Sequence, residues 1–366
     1  MNASFTRGIA CFDIGGGSTD IAIWCDLHSD KPKGQCSLKF AGNDILNKPL
    51  SKNRAVLSKF KTNDTAFNSK LEALVNEVDD NSFNMGLEAL LKYHEQDIFE
   101  SLVSKSADSE VKKFIRSVGF ALSGIFFYSG IIIGALKQEK SIGDDLPNCY
   151  VGGNGSKLLE WVSNGRYGNV EGFEQVFTTC LAVGASRKTQ LTRNNMNFRI
   201  RKSANPKEEV AYGLVCKSSI LDAKAKADAG DEVIDFSNPD SIFDSVMFEP
   251  TIPINDDCLE AGEEFIVNGR RADSSLITVN DIYEGVRITD AMPTFRLFVN
   301  YFNKFIEPYG YGSDYRVAFN EEDYKDIRDQ VNDEYASLEG IDRDKITLEP
   351  PFIVILKKAL EILTAR

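Results

Sequence analysis

The residue types best suited to chemistry stand together near the start of the chain, as Phe-Asp-Ile-Gly-Gly-Gly-Ser-Thr-Asp at positions 12–20. Three successive glycines leave the backbone open to φ > 0 and without side chains that would keep a ligand away. Turns of this kind point backbone N–H groups at an anion, commonly a phosphate. Asp13 precedes the glycines, and one or two carboxylates are enough to hold a hydrated Mg²⁺. The run predicts a phosphate-binding turn with a metal-binding carboxylate, and the alternative is a plain β-hairpin with a glycine turn.

Apolar segments on both sides must position this turn. Residues 9–14 form a predicted strand that ends at the glycines, and residues 21–24 begin a second one. Both segments are rich in β-branched and aromatic residues, as strands are. A second glycine pair, Gly152 and Gly153, ends a predicted strand at 149–151 that turns into a helix over 157–163. Two glycine-bearing strand ends are therefore expected in one fold.

Three motifs, taken in order, resemble the actin/Hsp70/sugar-kinase superfamily of ATPases. Residues 13–20 are similar to the second of the family's two phosphate loops, and 40–45 resemble the Gly-x-Asp step that follows it. Residues 150–157, Tyr-Val-Gly-Gly-Asn-Gly-Ser-Lys, resemble the family's adenosine motif. Residues 205–213, Asn-Pro-Lys-Glu-Glu-Val-Ala-Tyr-Gly, are similar to the stretch that follows this motif in Hsp70-type chaperones. The resemblance covers about residues 8–221 and does not single out one member.

The resemblance implies an α/β fold of the ribonuclease H-like, actin type. Such a fold has a mixed sheet flanked by helices, and a small helical subdomain is expected at about 53–110. The family's ATPase domain has two similar halves, each with its own phosphate loop, and nucleotide binds between them. Because one loop of this type is present here, we expect the chain to be the second half of a longer protein. Its expected partner is the missing N-terminal half, and alone it should bind nucleotide weakly or not at all.

The resemblance also implies ligands and roles for individual residues. ATP and Mg²⁺ are the implied cofactors. Asp13 would orient the metal shell or the attacking water, and Asp20 is a second metal candidate. Donors to the β- and γ-phosphates would be Gly15, Gly16, Gly17, Ser18 and Thr19. Adenosine would pass close to Gly152 and Gly153, with Asn154 and Ser156 near the ribose or the α-phosphate.

Three classes of function stay open from the sequence. The first is the nucleotide-binding half of an Hsp70-like chaperone ATPase that acts on a protein client. The second is an actin-like, filament-forming cytoskeletal protein that associates with itself. The third is a regulatory or binding module that keeps the fold without catalysis. ATP hydrolysis is expected only in the longer protein, and the isolated chain is expected to be inactive.

Charge divides the chain of 366 residues into two regions. The net charge of −13 splits into +3 for residues 1–221 and −16 for residues 222–366. We therefore predict a boundary near 223–231, followed by an acidic α+β region of unknown role at 232–366. Nucleic acids and anionic membranes bind proteins through clustered Lys and Arg, and the acidic balance of this chain argues against both as main partners. Nucleic acid and membrane are therefore excluded as expected partners.

The acidic region carries its own structural signals. Val267-Asn268-Gly269-Arg270 predicts a hairpin turn that begins after a strand at 264–266. Further strands are predicted at 276–279 and 286–288, and helices at 294–306, 321–338 and 352–363. No catalytic motif is evident in this region.

One predicted helix, residues 111–137, is apolar enough to compare with a membrane span, which needs ~20 apolar residues. Four glycines and two serines interrupt its apolar centre, and a buried strand follows it, so a core helix is favoured. The seven cysteines are scattered and form no Cys-x-x-Cys, and the chain has two histidines. A zinc site is therefore not supported, and reduced thiols indicate the cytoplasm.

Overall fold

The structure, a computed structural model, describes residues 8–24, 32–138, 146–168, 172–185, 200–203, 234–235, 265–267, 270–272, 287–307, 311–338 and 349–366. The motif at 205–213, the charge boundary at 223–231 and the predicted strand at 276–279 lie outside the described residues.

The described strands and helices mostly follow one another in runs of one kind along the chain. The strands are β1 (Ile9–Ile14), β2 (Thr19–Trp24), β3 (Gly34–Leu38), β4 (Asn148–Gly152), β5 (Ile200–Lys202), β6 (Ile234–Asp235), β7 (Phe265–Val267), β8 (Arg270–Ala272) and β9 (Arg287–Ile288). The helices are α1 (Lys48–Lys52), α2 (Thr65–Val75), α3 (Asp80–Tyr93), α4 (Glu95–Ser104), α5 (Ser109–Gln138), α6 (Leu158–Val162), α7 (Phe173–Ala185), α8 (Pro293–Ile306), α9 (Glu321–Ala336) and α10 (Pro351–Thr364), with a π-helical turn at Asn43–Asn47 and 3₁₀ turns at Arg54–Phe60, Asn154–Lys157 and Ser313–Tyr315.

Five strands form the main sheet in the order β5-β4-β1-β2-β3, and the two-residue strand β6 pairs with β3 at the edge. Strands β1, β2 and β3 are an antiparallel meander, whereas β4 runs parallel to β1 and β5 parallel to β4. Parallel neighbours need a crossover connection, and the helices before and after β4 provide it. The fold is therefore α/β, with a mixed sheet flanked by helices.

Strand β1 has the bounds predicted from the sequence, and β2 begins at Thr19, two residues earlier than predicted. Along β1 the side chains of Ala10, Phe12 and Ile14 are buried. The Phe12 ring meets the edge of Phe126 in α5, with ring centroids 5.6 Å apart. Successive side chains point to opposite faces of a strand, so Asp13 lies on the other face, where it is exposed.

Helix α5 is the central core element. It is the one helix among the described residues that is long and apolar enough to cross a membrane. Its apolar stretch is wholly buried inside the protein, as in the core helix of a soluble protein, so the predicted core helix is confirmed. A location in the cytoplasm stays a prediction.

The glycines of α5 allow close helix packing. A Cβ placed on Gly130 would overlap the carbonyl oxygen of Leu181 in α7 and lie 2.9 Å from the amide nitrogen of Ala185. A Cβ on Gly184 in α7 would likewise overlap the carbonyl oxygen of Phe127. The two helices therefore cross with their backbones in contact.

The C-terminal helices cover the rest of α5 with aromatic side chains. Phe120 lies 4.9 Å from Phe298 and 5.3 Å from Phe302, measured between ring centroids. Phe352 of α10 lies 5.2 Å from Phe127. Helices α8, α9 and α10 confirm the three helices predicted in the acidic region. The regions that differ in charge therefore share one hydrophobic core.

Strands β7 and β8 pair antiparallel, as the predicted hairpin requires, and β9 pairs with β7 on its other side. Strand β9 also matches the strand predicted at 286–288.

Helices α2, α3 and α4 form the predicted helical part within 53–110. Asp64 and Asp79 cap the first two helices, because their carboxylates accept backbone N–H groups of the first turn. Phe67 and Phe83 are buried between the helices. Arg54 ties the start of α3 to the preceding 3₁₀ turn through Asp80, at 2.8 Å.

Candidate functional site

The two glycine-bearing strand ends are neighbours in the sheet. Strand β1 pairs parallel with β4, and Asp13 lies opposite Gly152 in the register. The loops that follow the two strands therefore leave the sheet at the same end, where both strands have their carboxyl ends. In open α/β sheets, ligands bind outside the carboxyl ends of strands, so this end is the first place to look for a site.

Close approach between the two loops requires glycine. Gly153 has φ +74°, and a Cβ there would overlap the carboxylate of Asp13 and lie 2.5 Å from the carbonyl oxygen of Ile14. A Cβ on Gly155 would lie 2.5 Å from Cγ2 of Ile14. A side chain at either position would push the loop after β4 away from the end of β1.

The glycines after Asp13 do not use the left-handed region that glycine permits. None of Gly15, Gly16 and Gly17 has a positive φ. The turn is closed by a hydrogen bond of 2.8 Å from the Gly15 N–H to the carbonyl oxygen of Ser18. The space beside Gly17 is open, with no atom within 4 Å of a Cβ placed there.

A third segment, residues 40–43, packs along this turn. The N–H of Gly42 donates to the carbonyl oxygen of Gly15 at 3.1 Å, and that of Asn43 donates to Gly16 at 2.7 Å. The hydroxyl of Thr19 donates to the carbonyl oxygen of Phe40 at 2.7 Å. The Gly-x-Asp step noted in the sequence therefore belongs to the same site as the glycine turn.

The three segments form the floor of a cleft of about 430 Å³, a volume typical of small-molecule sites. Helices α3 and α4 supply its roof, and α6 supplies an apolar wall. The lining residues are Gly15, Gly16, Gly42, Asn43, Leu46, Asn47, Glu88, Leu91, Lys92, Glu95, Asn154, Gly155, Lys157, Leu158 and Trp161.

Charged groups of both signs line the cleft. Lys157 on the floor and Glu95 on the roof form an ion pair of 2.6 Å between Nζ and Oε2. Lys92 and Glu88 lie one helical turn apart on α3. The charges of the two lysines and two glutamates balance. The other polar groups belong to the backbone, to three asparagines and to the indole of Trp161.

Of the predicted site residues, Gly15, Gly16 and Asn154 line the cleft. Gly17 is exposed at the tip of the turn, with Ser18 beside it, and Gly152 and Gly153 lie next to Asp13 under the floor. Two predicted side chains, those of Thr19 and Ser156, are fully buried. The Thr19 hydroxyl is bonded to Phe40, and the Ser156 hydroxyl has no hydrogen-bond partner among the described residues.

The two predicted metal ligands face each other across β1 and β2, because Asp13 pairs with Asp20 in the register. Directly opposite side chains have Cβ atoms about 4.5–5.5 Å apart. Ser37 on β3 continues the row, and its hydroxyl donates to Asp20 at 2.5 Å. Both carboxylates are exposed and lie beside the cleft rather than in its lining.

The pair would suit Mg²⁺, which needs one or two carboxylates and keeps several waters. Within the described part of the chain, three or more metal-binding side chains do not come together. Cys11, Cys149 and Cys180 are free thiols. Burial raises the pKa of the Cys149 and Cys180 thiols well above the ordinary value, so both stay protonated and unreactive.

The roof of the cleft was missed by sequence reasoning. In the sequence Leu87, Leu90 and Leu91 stand at helical spacing, but this spacing gives no reason to bring α3 over the glycine turn. Lys157 stands inside the second glycine motif and received no role. A signal was present, because Lys157 begins a predicted helix and Glu95, of opposite charge, lies in the predicted helical part at 53–110. Sequence alone could not show that these helices face each other.

Comparisons of the chain with protein-family models, with curated proteins and with solved structures found no match. The resemblance to the actin/Hsp70/sugar-kinase superfamily therefore depends on the sequence motifs alone.

Proposed function

We propose that the cleft binds a nucleotide, with ATP and Mg²⁺ as ligands, and that this fold is one half of an actin/Hsp70-type ATPase. One observation carries the proposal. Two glycine segments at the ends of adjacent parallel strands meet on the floor of a cleft large enough for a small molecule. This is the arrangement in which bare backbone can approach a phosphate chain.

The proposed pose places the phosphates over the glycine turn. Gly16 lines the cleft and is exposed, so its N–H can donate to a phosphate oxygen without displacing a side chain. The base would lie deeper, against the apolar wall of Leu158 and Trp161 and below Leu91. Flat aromatic surfaces favour this kind of stacking.

Asp13 and Asp20 would hold the hydrated Mg²⁺ next to the phosphates. When bound, this ion neutralises part of the phosphate charge and helps to orient it. Asp13 would also position the attacking water, because it is the carboxylate closest to Gly153 and the loop after β4. Asp20 is oriented by Ser37, and this supports a positioning role.

The described residues form one wall of such a site. Phosphoryl transfer is mostly positioning and electrostatic stabilisation, and it needs groups on more than one side of the γ-phosphate. We propose that a second wall with its own phosphate loop completes the site in the longer protein. A chaperone-type, cytoplasmic ATPase acting on a protein client is favoured within this proposal by the motif at 205–213.

The test uses Trp161, one of two tryptophans in the chain, as the reporter of binding. In a Trp24→Phe background, ATP with Mg²⁺ should change Trp161 emission with a Kd near 1 mM, or about −4 kcal/mol. Adenosine should act on the same reporter, and inorganic phosphate should compete with ATP. Unchanged emission together with no heat of binding at saturating ATP would contradict the proposal. Rapid ATP turnover by this chain would contradict its half-site form.

A second candidate is a binding module without catalysis. The observation in its favour is that Asp13 and Asp20 lie outside the cleft lining. Asp13→Ala separates the two functions in the longer protein. Loss of ATP turnover with binding retained supports the ATPase, whereas unchanged cellular function of the variant supports the binding module.

A further inference from the structure

One ion pair connects the floor of the cleft to its roof. Lys157 ends the 3₁₀ turn Asn154–Lys157, which follows Gly153 directly, and Glu95 is the first residue of α4. Their Nζ and Oε2 atoms are 2.6 Å apart, and both residues line the cleft. We refer to this pair as the Glu95–Lys157 clasp.

Another anion can replace Glu95 as the partner of Lys157. The Lys157 side chain is 41% exposed and that of Glu95 is 34% exposed, and ion pairs of this exposure contribute little to stability. A phosphate group carries more negative charge than a carboxylate and offers three acceptor oxygens. In the same cleft it is the stronger partner for a lysine ammonium.

Lys157 is also the lysine attached to the floor. It belongs to the same short turn as Asn154 and Gly155, which lie against the end of β1. The other lysine of the cleft, Lys92, is on the roof and lies 5.5 Å from the Tyr93 ring centroid. An anion over the glycine turn would therefore meet Lys157 from the side of the floor.

From this geometry we propose that Lys157 is the phosphate-binding cation of the cleft and that Glu95 competes with the ligand for it. A phosphate-bearing ligand displaces Glu95 from Lys157, and this breaks the ion pair between the roof and the floor. This inference builds on the proposed nucleotide site and adds the residue that senses the phosphate.

The experiment measures ATP affinity in Glu95→Gln, in Lys157→Met and in the double variant, each as the full chain. Glu95→Gln should tighten ATP binding by about twofold to fivefold, because the competitor is gone. Lys157→Met should weaken it by about tenfold, the typical effect of losing a charged hydrogen bond. In the Lys157→Met background, Glu95→Gln should have no effect.

Adenosine and inorganic phosphate are run as separate ligands. Adenosine should bind all variants alike, whereas inorganic phosphate should follow the order expected for ATP. Glu72→Gln provides a matched control, because it breaks an exposed pair of 2.5 Å with Lys61 away from the cleft. It should leave every affinity unchanged, and thermal unfolding checks that all variants fold.

Two results would overturn the inference while leaving the nucleotide site intact. One is equal ATP affinity in wild type and Glu95→Gln. The other is a gain from Glu95→Gln that persists without Lys157, since this would show a general charge effect. If the wild-type chain binds neither ATP nor adenosine, the proposed function fails. The role of Lys157 is then tested by the binding of inorganic phosphate alone. Phosphate binding that does not depend on Lys157, or no phosphate binding, rejects it.

Discussion

At two places in this molecule, glycines allow two backbone segments to come into contact. At the cleft floor, Gly153 and Gly155 let the loop after β4 lie on the end of β1. At the α5–α7 crossing, Gly130 and Gly184 let two helices touch. In helices the N–H groups are already paired inside the helix, so the crossing is closed and apolar. At the floor, by contrast, the backbone itself lines a cleft, because Gly15, Gly16 and Gly155 are among the lining residues.

Glycine therefore has a different effect at each place. At the crossing it allows the two helices to pack closely, so a substitution there should lower the free energy of unfolding. At the floor the glycines give a ligand access to the backbone, so a substitution there should reduce ligand binding and lower stability less than one at the crossing. The predictions below test whether this division holds.

The largest effect is expected at the crossing. Gly130→Ala puts a methyl group into the carbonyl oxygen of Leu181, which is backbone and cannot rotate away. We expect a loss of about 3 kcal/mol in the free energy of unfolding, at the upper end for overpacking, measured by urea denaturation. Gly86→Ala in α3 is the control. Its added carbon meets only the flexible end of Leu74, and the gain in helix propensity should make it near neutral. Equal losses would contradict the role of the crossing.

A smaller effect on stability is expected at the floor. Gly153→Ala forces a side chain into φ +74° and against Asp13, and we expect a loss of about 2 kcal/mol. Denaturation with the Trp161 signal in a Trp24→Phe background measures it. A neutral result would show that the loop after β4 is free to move away from β1, and that the close approach is not needed.

Gly17→Ala should separate binding from stability. No atom lies within 4 Å of the new carbon and the φ is ordinary, so stability should change by less than about 0.5 kcal/mol. If phosphates lie on the turn, ATP affinity should fall by about fivefold, or about 1 kcal/mol. Calorimetric titration measures it, and an unchanged affinity would move the phosphates away from Gly17.

The smallest effect concerns the roof at acid pH. The Ser82 backbone N–H holds the pKa of Asp79 below its ordinary value of 3.8, and this carboxylate caps α3. A lowered pKa stabilises the fold above the unfolded value, and the contribution is lost as pH falls through the folded value. We therefore expect α3 to loosen below about pH 4, seen as a change in Trp161 emission. Asp79→Asn should remove part of this pH dependence, and an identical pH profile would contradict it.

Much of the fold could be predicted from the sequence. β-branched and aromatic residues identified β1, and a long apolar run identified α5. Helices α8, α9 and α10 were also predicted from the sequence, because such signals are local. The four glycines of α5 were taken as interruptions, although Gly130 makes a contact with a helix distant in sequence. No local pattern contains that partner.

The candidate site was foreseen in part for the same reason. Strand–glycine patterns placed Gly15 and Gly153 at strand ends, and parallel pairing brought these ends together. The residues of the roof, Glu88 and Glu95 among them, reach the cleft through tertiary packing of the helices. The charge difference between residues 1–221 and 222–366 reflects their surface residues. It gives no information on the core, where Phe120 of the first region contacts Phe298 of the second.

Helix α5 is synthesised well before the helix that covers it in the folded protein. Its outer side is covered by α10, where Phe352 lies against Phe127 and Leu356 against Gly124. Those covering residues emerge from the ribosome about 210 residues after the end of α5, or about 10–40 s later at ordinary rates of translation. We expect the nascent chain to expose this apolar helix throughout that interval. A chain truncated before Pro351 should accordingly bind hydrophobic dyes and aggregate.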